Sequence, residues 1–187
     1  MTKSIDKYSD NDLYYMLSSD KKTAEKAFAE IYSRHSSRIY AYCRRFLGNK
    51  EDAQDVFQET FIRFLDSTKQ DRVMTNVPAF LLKIARNLCV NVKRKDKKPV
   101  SFEEYMVSDN RNSDNNELLT LIKMALDILP DGYKDIFILR EYDGLSYQDI
   151  AEMVDVPLST VKIRIFRAKQ KIRDILAPYM KELEKYN

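Results

Sequence analysis

Glycine is scarce in this chain: there are three among 187 residues, and tryptophan is missing altogether. So little glycine provides no Gly-rich loop to cradle a phosphate and few of the tight turns on which β-rich folds depend. One histidine, His35, and two cysteines, Cys43 and Cys89, form no cluster with metal-ligand spacing and no disulfide framework. The expectation is a chain with no metal or cofactor, no catalytic residue and a reducing, cytoplasmic home, with both cysteines acting as small buried apolar groups. No run of about 18 apolar residues is available to cross a membrane. The opening MTKSIDKYSDNDLYY lacks the apolar core of a secretory leader.

What is present is charge, and it is segregated. The net charge is only +3. Yet the stretch 159–173, STVKIRIFRAKQKIR, holds six cations and no carboxylate, while 51–66 holds five carboxylates against Arg63 alone. Basic residues also dominate 79–98. Alternation on this scale points to several surfaces with different partners, two of them polyanionic.

Apolar residues recur at helical spacing almost everywhere. Ser9 with Asp12 marks a helix start, and Ala24, Ala27, Phe28, Ile31 and Tyr32 begin a stripe that Ile39, Tyr42 and Phe46 continue until Gly48 stops it. Ala53, Val56, Phe57, Thr60, Phe61 and Phe64 form the inward side of a third helix. Pro78 opens a fourth, with Leu81, Ile84, Ala85, Leu88 and Val92 inward. Residues 97–116 are polar, lack any period and read as a flexible linker. Leu118, Ile122, Ala125 and Leu129 start a second helical block. The fold class is therefore all-α: two small helical domains, 8–96 and 117–177, on a tether, with a tail at 178–187.

The basic stretch 159–173 belongs to a motif. Upstream, LSYQDIAEMVDVP gives a short helix capped by Ser146 with Asp149 and burying Ile150, Ala151 and Val154. A turn at Asp155 follows, which a small polar residue enters at modest cost. On a helical wheel Val161, Ile165, Ala168 and Ile172 share one side, and Lys162, Phe166, Arg167, Gln170 and Arg173 the other, with Ile163 nearly opposite Val161. Short helix, tight turn and longer basic helix make a helix-turn-helix whose second helix enters a major groove. On the fourth helix Phe80, Lys83, Asn87, Asn91 and Arg94 share an exposed face, where amides meet base edges and rings stack. On the third, Ile62 stands among Asp55, Gln58, Glu59 and Asp66, a docking point for a basic, partly apolar protein helix.

In order and spacing, DAQDVFQETFIRFL at 52–65, FLLKIARNLCVNVKRK at 80–95 and LPDGYKDIFILREYDGLSYQDIAEMVDVPLSTVKIRIFRAKQKIR at 129–173 resemble the extracytoplasmic-function sigma factors. The resemblance runs from about Asp12 to Leu176. It implies a region 2 domain that binds core RNA polymerase and melts −10 DNA, and a region 4 helix-turn-helix domain that reads the −35 element. By position, it implies that Asp52, Asp55, Gln58, Glu59 and Ile62 meet the clamp helices of the β′ subunit, and that region 4 meets the β flap. Phe80, Lys83, Asn87, Asn91 and Arg94 fall at −10 contact positions, and the loop 67–78 where a flipped base is captured. Ser159, Thr160, Lys162, Ile163, Arg164, Phe166, Arg167 and Lys169 fall at −35 contact positions. Promoter DNA and an anti-sigma factor are the further partners implied, with no membrane insertion. Phe80 stands where many members carry tryptophan, and Ile163 where serine is frequent. The alternative reading is a helix-turn-helix regulator that is not a polymerase subunit.

Overall fold

The computed structural model describes residues 4–70, 73–95 and 117–183, and every element among them is helical. The expected linker, Asp71 and Arg72 of the 67–78 loop, the side chain of Leu118 and the last four residues lie outside the described residues. The chain divides into two compact units, one ending at Val92 and the other beginning at Lys93.

The first unit contains a 3₁₀ turn (Ile5–Lys7), α1 (Asp10–Met16), α2 (Lys21–Leu47), α3 (Lys50–Ser67) and all but the last three residues of α4 (Val77–Lys95). α1 starts as its sequence dictates. The Asp12 amide donates to Ser9 Oγ at 3.1 Å, and the Ser9 amide donates back to the Asp12 carboxylate at 3.2 Å. α2 stops at Gly48, which takes φ 78° while its N–H bonds the Arg44 carbonyl, a conformation that costs least without a Cβ. Ile31, Ile39, Tyr42 and Phe46 of α2, Phe61 and Phe64 of α3, and Leu81, Leu82 and Leu88 of α4 are buried together with both cysteines.

Arg34 and His35 fasten the start of the chain to α2. The Arg34 guanidinium donates to Asp10 (2.8 Å), Glu30 (2.8 Å) and the carbonyls of Tyr8 and Asp6, and His35 Nε2 lies 2.9 Å from the other Asp10 oxygen. The hydrogen bond to Asp10 holds Arg34 above its already high pKa. The sole histidine is thus half-buried and has a structural partner.

α4 begins one residue before the expected Pro78. Asn76 caps it, its side-chain oxygen accepting the Ala79 amide at 3.0 Å. Pro78 then occupies the second helical position, where its missing N–H is one of the four that a helix start leaves free anyway.

The second unit holds α5 (Glu117–Ile128), α6 (Asp131–Glu141), α7 (Tyr147–Val154) and α8 (Leu158–Leu183). Leu126, Leu129 and Ala168 form one buried cluster, flanked by Ile122, Tyr133, Phe137 and Ile172. Beneath it Lys134 and Asp127 pair at 2.6 Å with side-chain exposures of 3% and 14%. Burial pushes the Lys134 ammonium below its usual value, while Asp127 pulls the other way. α8 continues through Pro178 to Leu183, so the helix outlasts the expected stop. A proline there removes one intrahelical hydrogen bond without breaking the helix.

Candidate nucleic-acid interface

α7 is short because both its ends are specified. Ser146 and Asp149 form a reciprocal capping box (Asp149 amide to Ser146 Oγ, 3.0 Å; Ser146 amide to the Asp149 carboxylate, 3.1 Å). The bonds from Ser146 hold the Asp149 carboxyl below its usual value. At the other end Asp155 adopts φ 54° and ψ 55°, the left-handed conformation its sequence position called for. The Val156 amide then reaches back to the Ala151 carbonyl at 3.1 Å. α7 buries Ile150, Ala151 and Met153, with Val154 only half-buried. The wheel favoured Val154; in an eight-residue helix wedged against α6 and α8, the longer methionine reaches the core instead.

α8 buries Val161, Ile165 and Ala168 as expected. Full burial of a Val or Ile side chain stabilises by roughly 1.5–3 kcal/mol, so these positions fix the rotation of α8 about its axis. That rotation sorts its polar and apolar groups. Lys162, Ile163, Phe166 and Arg167 are exposed, Ile163 at 51% and Phe166 at 70%. Ser159 is exposed and Thr160 half-buried. Two cations turn back toward the domain. Lys169 pairs with Glu141 of α6 at 2.9 Å, and half-buried Arg164 brings its guanidinium within 3.9 Å of where a Cβ on Gly132 would stand. Neither disposition was legible in the helical period.

α4 shows the second basic face. Lys83, Asn87, Asn91 and Arg94 are exposed, stepping along one side of the helix. Asn87 Oδ1 accepts from the Arg86 guanidinium at 3.3 Å. Phe80 differs from the expectation of full exposure: it is half-buried, and its ring lies tilted 6.3 Å from that of Phe64 on α3. Val73, in the loop before α4, is 80% exposed, while the Met74 amide is held by Tyr15 Oη at 3.0 Å.

α3 carries the acidic face. Asp55, Gln58 and Ile62 are exposed, Ile62 at 55%, and Asp52 is half-buried. Glu59 binds Arg63 one turn on at 2.7 Å, an exposed pair of small energetic weight. Beside Gln58 a groove of about 440 Å³ runs between α2 and α3, lined by Tyr32, Tyr40 and Phe57 among others. Sequence reasoning missed it because Phe57 was assigned wholly to the core, whereas its ring forms part of an open aromatic row with Tyr32 and Tyr40.

Among the described residues no helix is long and apolar enough to cross a membrane. Residues 31–98 match the family model described as Sigma-70 region 2, and residues 119–172 the one described as Sigma-70, region 4. The chain is 31% identical over 170 residues to the ECF RNA polymerase sigma factor SigW of Bacillus subtilis, covering 82% of this chain and 90% of that one. It is 32% identical over 172 residues to the ECF RNA polymerase sigma-E factor of Haemophilus influenzae, covering 83% and 90%. Among solved structures it is similar to the sigma factor RpoE bound to the anti-sigma factor NepR from Bartonella quintana (TM-score 0.66, 22% identity, 81% of this chain and 98% of that one). It is also similar to CnrH bound to the cytosolic domain of CnrY (TM-score 0.67, 20% identity, 91% and 99%).

Proposed function

The chain belongs to the sigma-70 family, in its extracytoplasmic-function branch, and on that premise we propose how its three outward faces share the work of starting transcription. It is a sigma subunit that directs core RNA polymerase to promoters, rather than a free-standing helix-turn-helix regulator. Sigma factors are regulatory subunits; the polymerase supplies the catalysis.

In this reading Asp52, Asp55, Gln58, Glu59 and Ile62 dock the region 2 domain, residues 8–96, on the β′ clamp helices, where an apolar centre ringed by carboxylates suits a basic, partly apolar helix. The region 4 domain, residues 117–177, sits at the β flap. α8 lies in the major groove of the −35 element. α4 takes the −10 region, Lys83 and Arg94 on the backbone and Asn87 and Asn91 on exposed bases, with a flipped base captured in the loop 67–78. Phe80, half-buried with its ring 6.3 Å from that of Phe64, is the aromatic residue of this face and the one assigned to stacking.

Neither basic helix has enough phosphate contacts to find a promoter alone; each offers roughly three to six, giving salt-sensitive and largely nonspecific affinity. Polymerase holds the two at the spacing of the promoter elements and turns two weak sites into one strong bipartite one. Both solved neighbours are complexes, one with a named anti-sigma factor. We extend that kind of control to this chain: a cytoplasmic sigma factor held inactive by an anti-sigma partner.

The observation that carries the reading is the pair of basic, exposed faces on α4 and α8, one on each side of the expected tether. The test is reconstitution with core polymerase and run-off transcription on genomic DNA, alongside co-purification. Wild-type chain initiates at discrete sites, and Asp55→Lys loses polymerase. Retained binding by Asp55→Lys moves the docking surface elsewhere.

A further inference from the structure

After the first turn of α8, Lys162, Ile163, Phe166 and Arg167 are the next exposed side chains along the helix. Arg164 is drawn back toward Gly132 and Lys169 is paired with Glu141. Two of the four exposed residues are apolar, and the stretch 159–173 holds no carboxylate. Exposed isoleucine and phenylalanine at 51% and 70% gain nothing from water. The cations beside them select a polyanion as the covering surface. Of the groups lining a major groove, the thymine 5-methyl is the apolar one.

We propose that Ile163 and Phe166 read thymine through its 5-methyl group in the −35 element, while Lys162 and Arg167 hold phosphate or guanine. This rests on the assignment of α8 to that element. Ile163 has no donor or acceptor, so its selectivity comes wholly from apolar contact. Residues three apart on a helix have Cβ atoms about 5–6 Å apart. Base pairs rise by about 3.4 Å. The two side chains thus address thymines one or two steps apart, on either strand.

Deoxyuridine differs from thymidine by that methyl alone and pairs identically, so it isolates the contact. A promoter first shown to require its −35 element is rebuilt with deoxyuridine at each −35 thymine in turn, and run-off transcription is measured with reconstituted holoenzyme at limiting concentration. Wild-type protein should lose about threefold to fourfold at each of two positions, the worth of one buried methyl. Ile163→Ser should abolish the uracil penalty at one position and Phe166→Ala at the other, each variant still depending on the −35 element as a whole. Both residues are exposed, so the fold is unaffected, and retained polymerase binding checks this. Equal transcription from thymine and uracil templates by wild-type protein, or an unchanged uracil penalty in both variants, overturns the proposal while leaving the −35 assignment standing. If no promoter the holoenzyme uses is impaired by scrambling the sequence upstream of its −10 region, the −35 assignment fails and the proposal with it.

Discussion

α4 and α8 are both amphipathic and both basic, yet they set different groups between their cations. α4 places the amides of Asn87 and Asn91 between Lys83 and Arg94, whereas α8 places Ile163 and Phe166 between Lys162 and Arg167. An amide both donates and accepts, and suits base edges freed from pairing. An isoleucine does neither, and suits a groove whose bases stay paired. Under the proposed assignment, the difference matches one helix to melted strands and the other to intact duplex. Charge alone does not separate these tasks; the neutral residues between the charges do.

The comparison breaks most severely if one platform is removed. Asp127→Ala would strand the buried Lys134 ammonium and cost about 3–5 kcal/mol in the second unit. Amide exchange should accelerate across α6 and α8 and not across α2 and α3. Protection lost equally in both units would mean that they do not stand independently. The same pair gives a pH effect with a definite sign. Burial lowers the Lys134 pKa in the fold, so between that value and 10.5 the unfolded chain binds more protons. From this group, second-unit stability rises with pH across that window. Lys134→Met should flatten the rise.

Asn87→Ala combined with Asn91→Ala should reduce open-complex formation tenfold or more, since each base-edge contact is worth about 1–3 kcal/mol. Polymerase binding should survive, and permanganate reactivity of −10 thymines should fall; unchanged footprints would contradict the role given to α4. The smallest effect belongs to the cap. Ser146→Ala should cost about 1 kcal/mol, seen as faster amide exchange in α7 and weaker use of −35 DNA at raised temperature. An unchanged exchange rate there would show that tertiary packing, not the capping box, holds α7.

Much of this was readable beforehand because helices announce their ends and their inner faces. Ser9 with Asp12, Gly48, Ser146 with Asp149, and Asp155 act through local backbone chemistry, and each does in the fold what its sequence position requires. Where long side chains go was not readable. Phe80 sits on an outward wheel position yet is half-buried beside Phe64, and Lys169 has a partner in Glu141 that the helical period does not reveal. Periodicity fixes the direction of a Cβ; the atoms beyond it answer to neighbours distant in sequence. Met153 in place of Val154 has the same origin in tertiary packing.

The most direct test of two readers with separate targets is a factorial transcription assay with reconstituted holoenzyme. Wild-type, Asn87→Ala/Asn91→Ala and Phe166→Ala proteins are each tried on intact, −10-altered and −35-altered promoters. The account predicts that Phe166→Ala adds no further loss once the −35 element is altered, and that the asparagine pair adds none once the −10 element is altered. Each should retain its full effect when the other element is the one changed. The reverse pairing, or equal losses on every template, would contradict it.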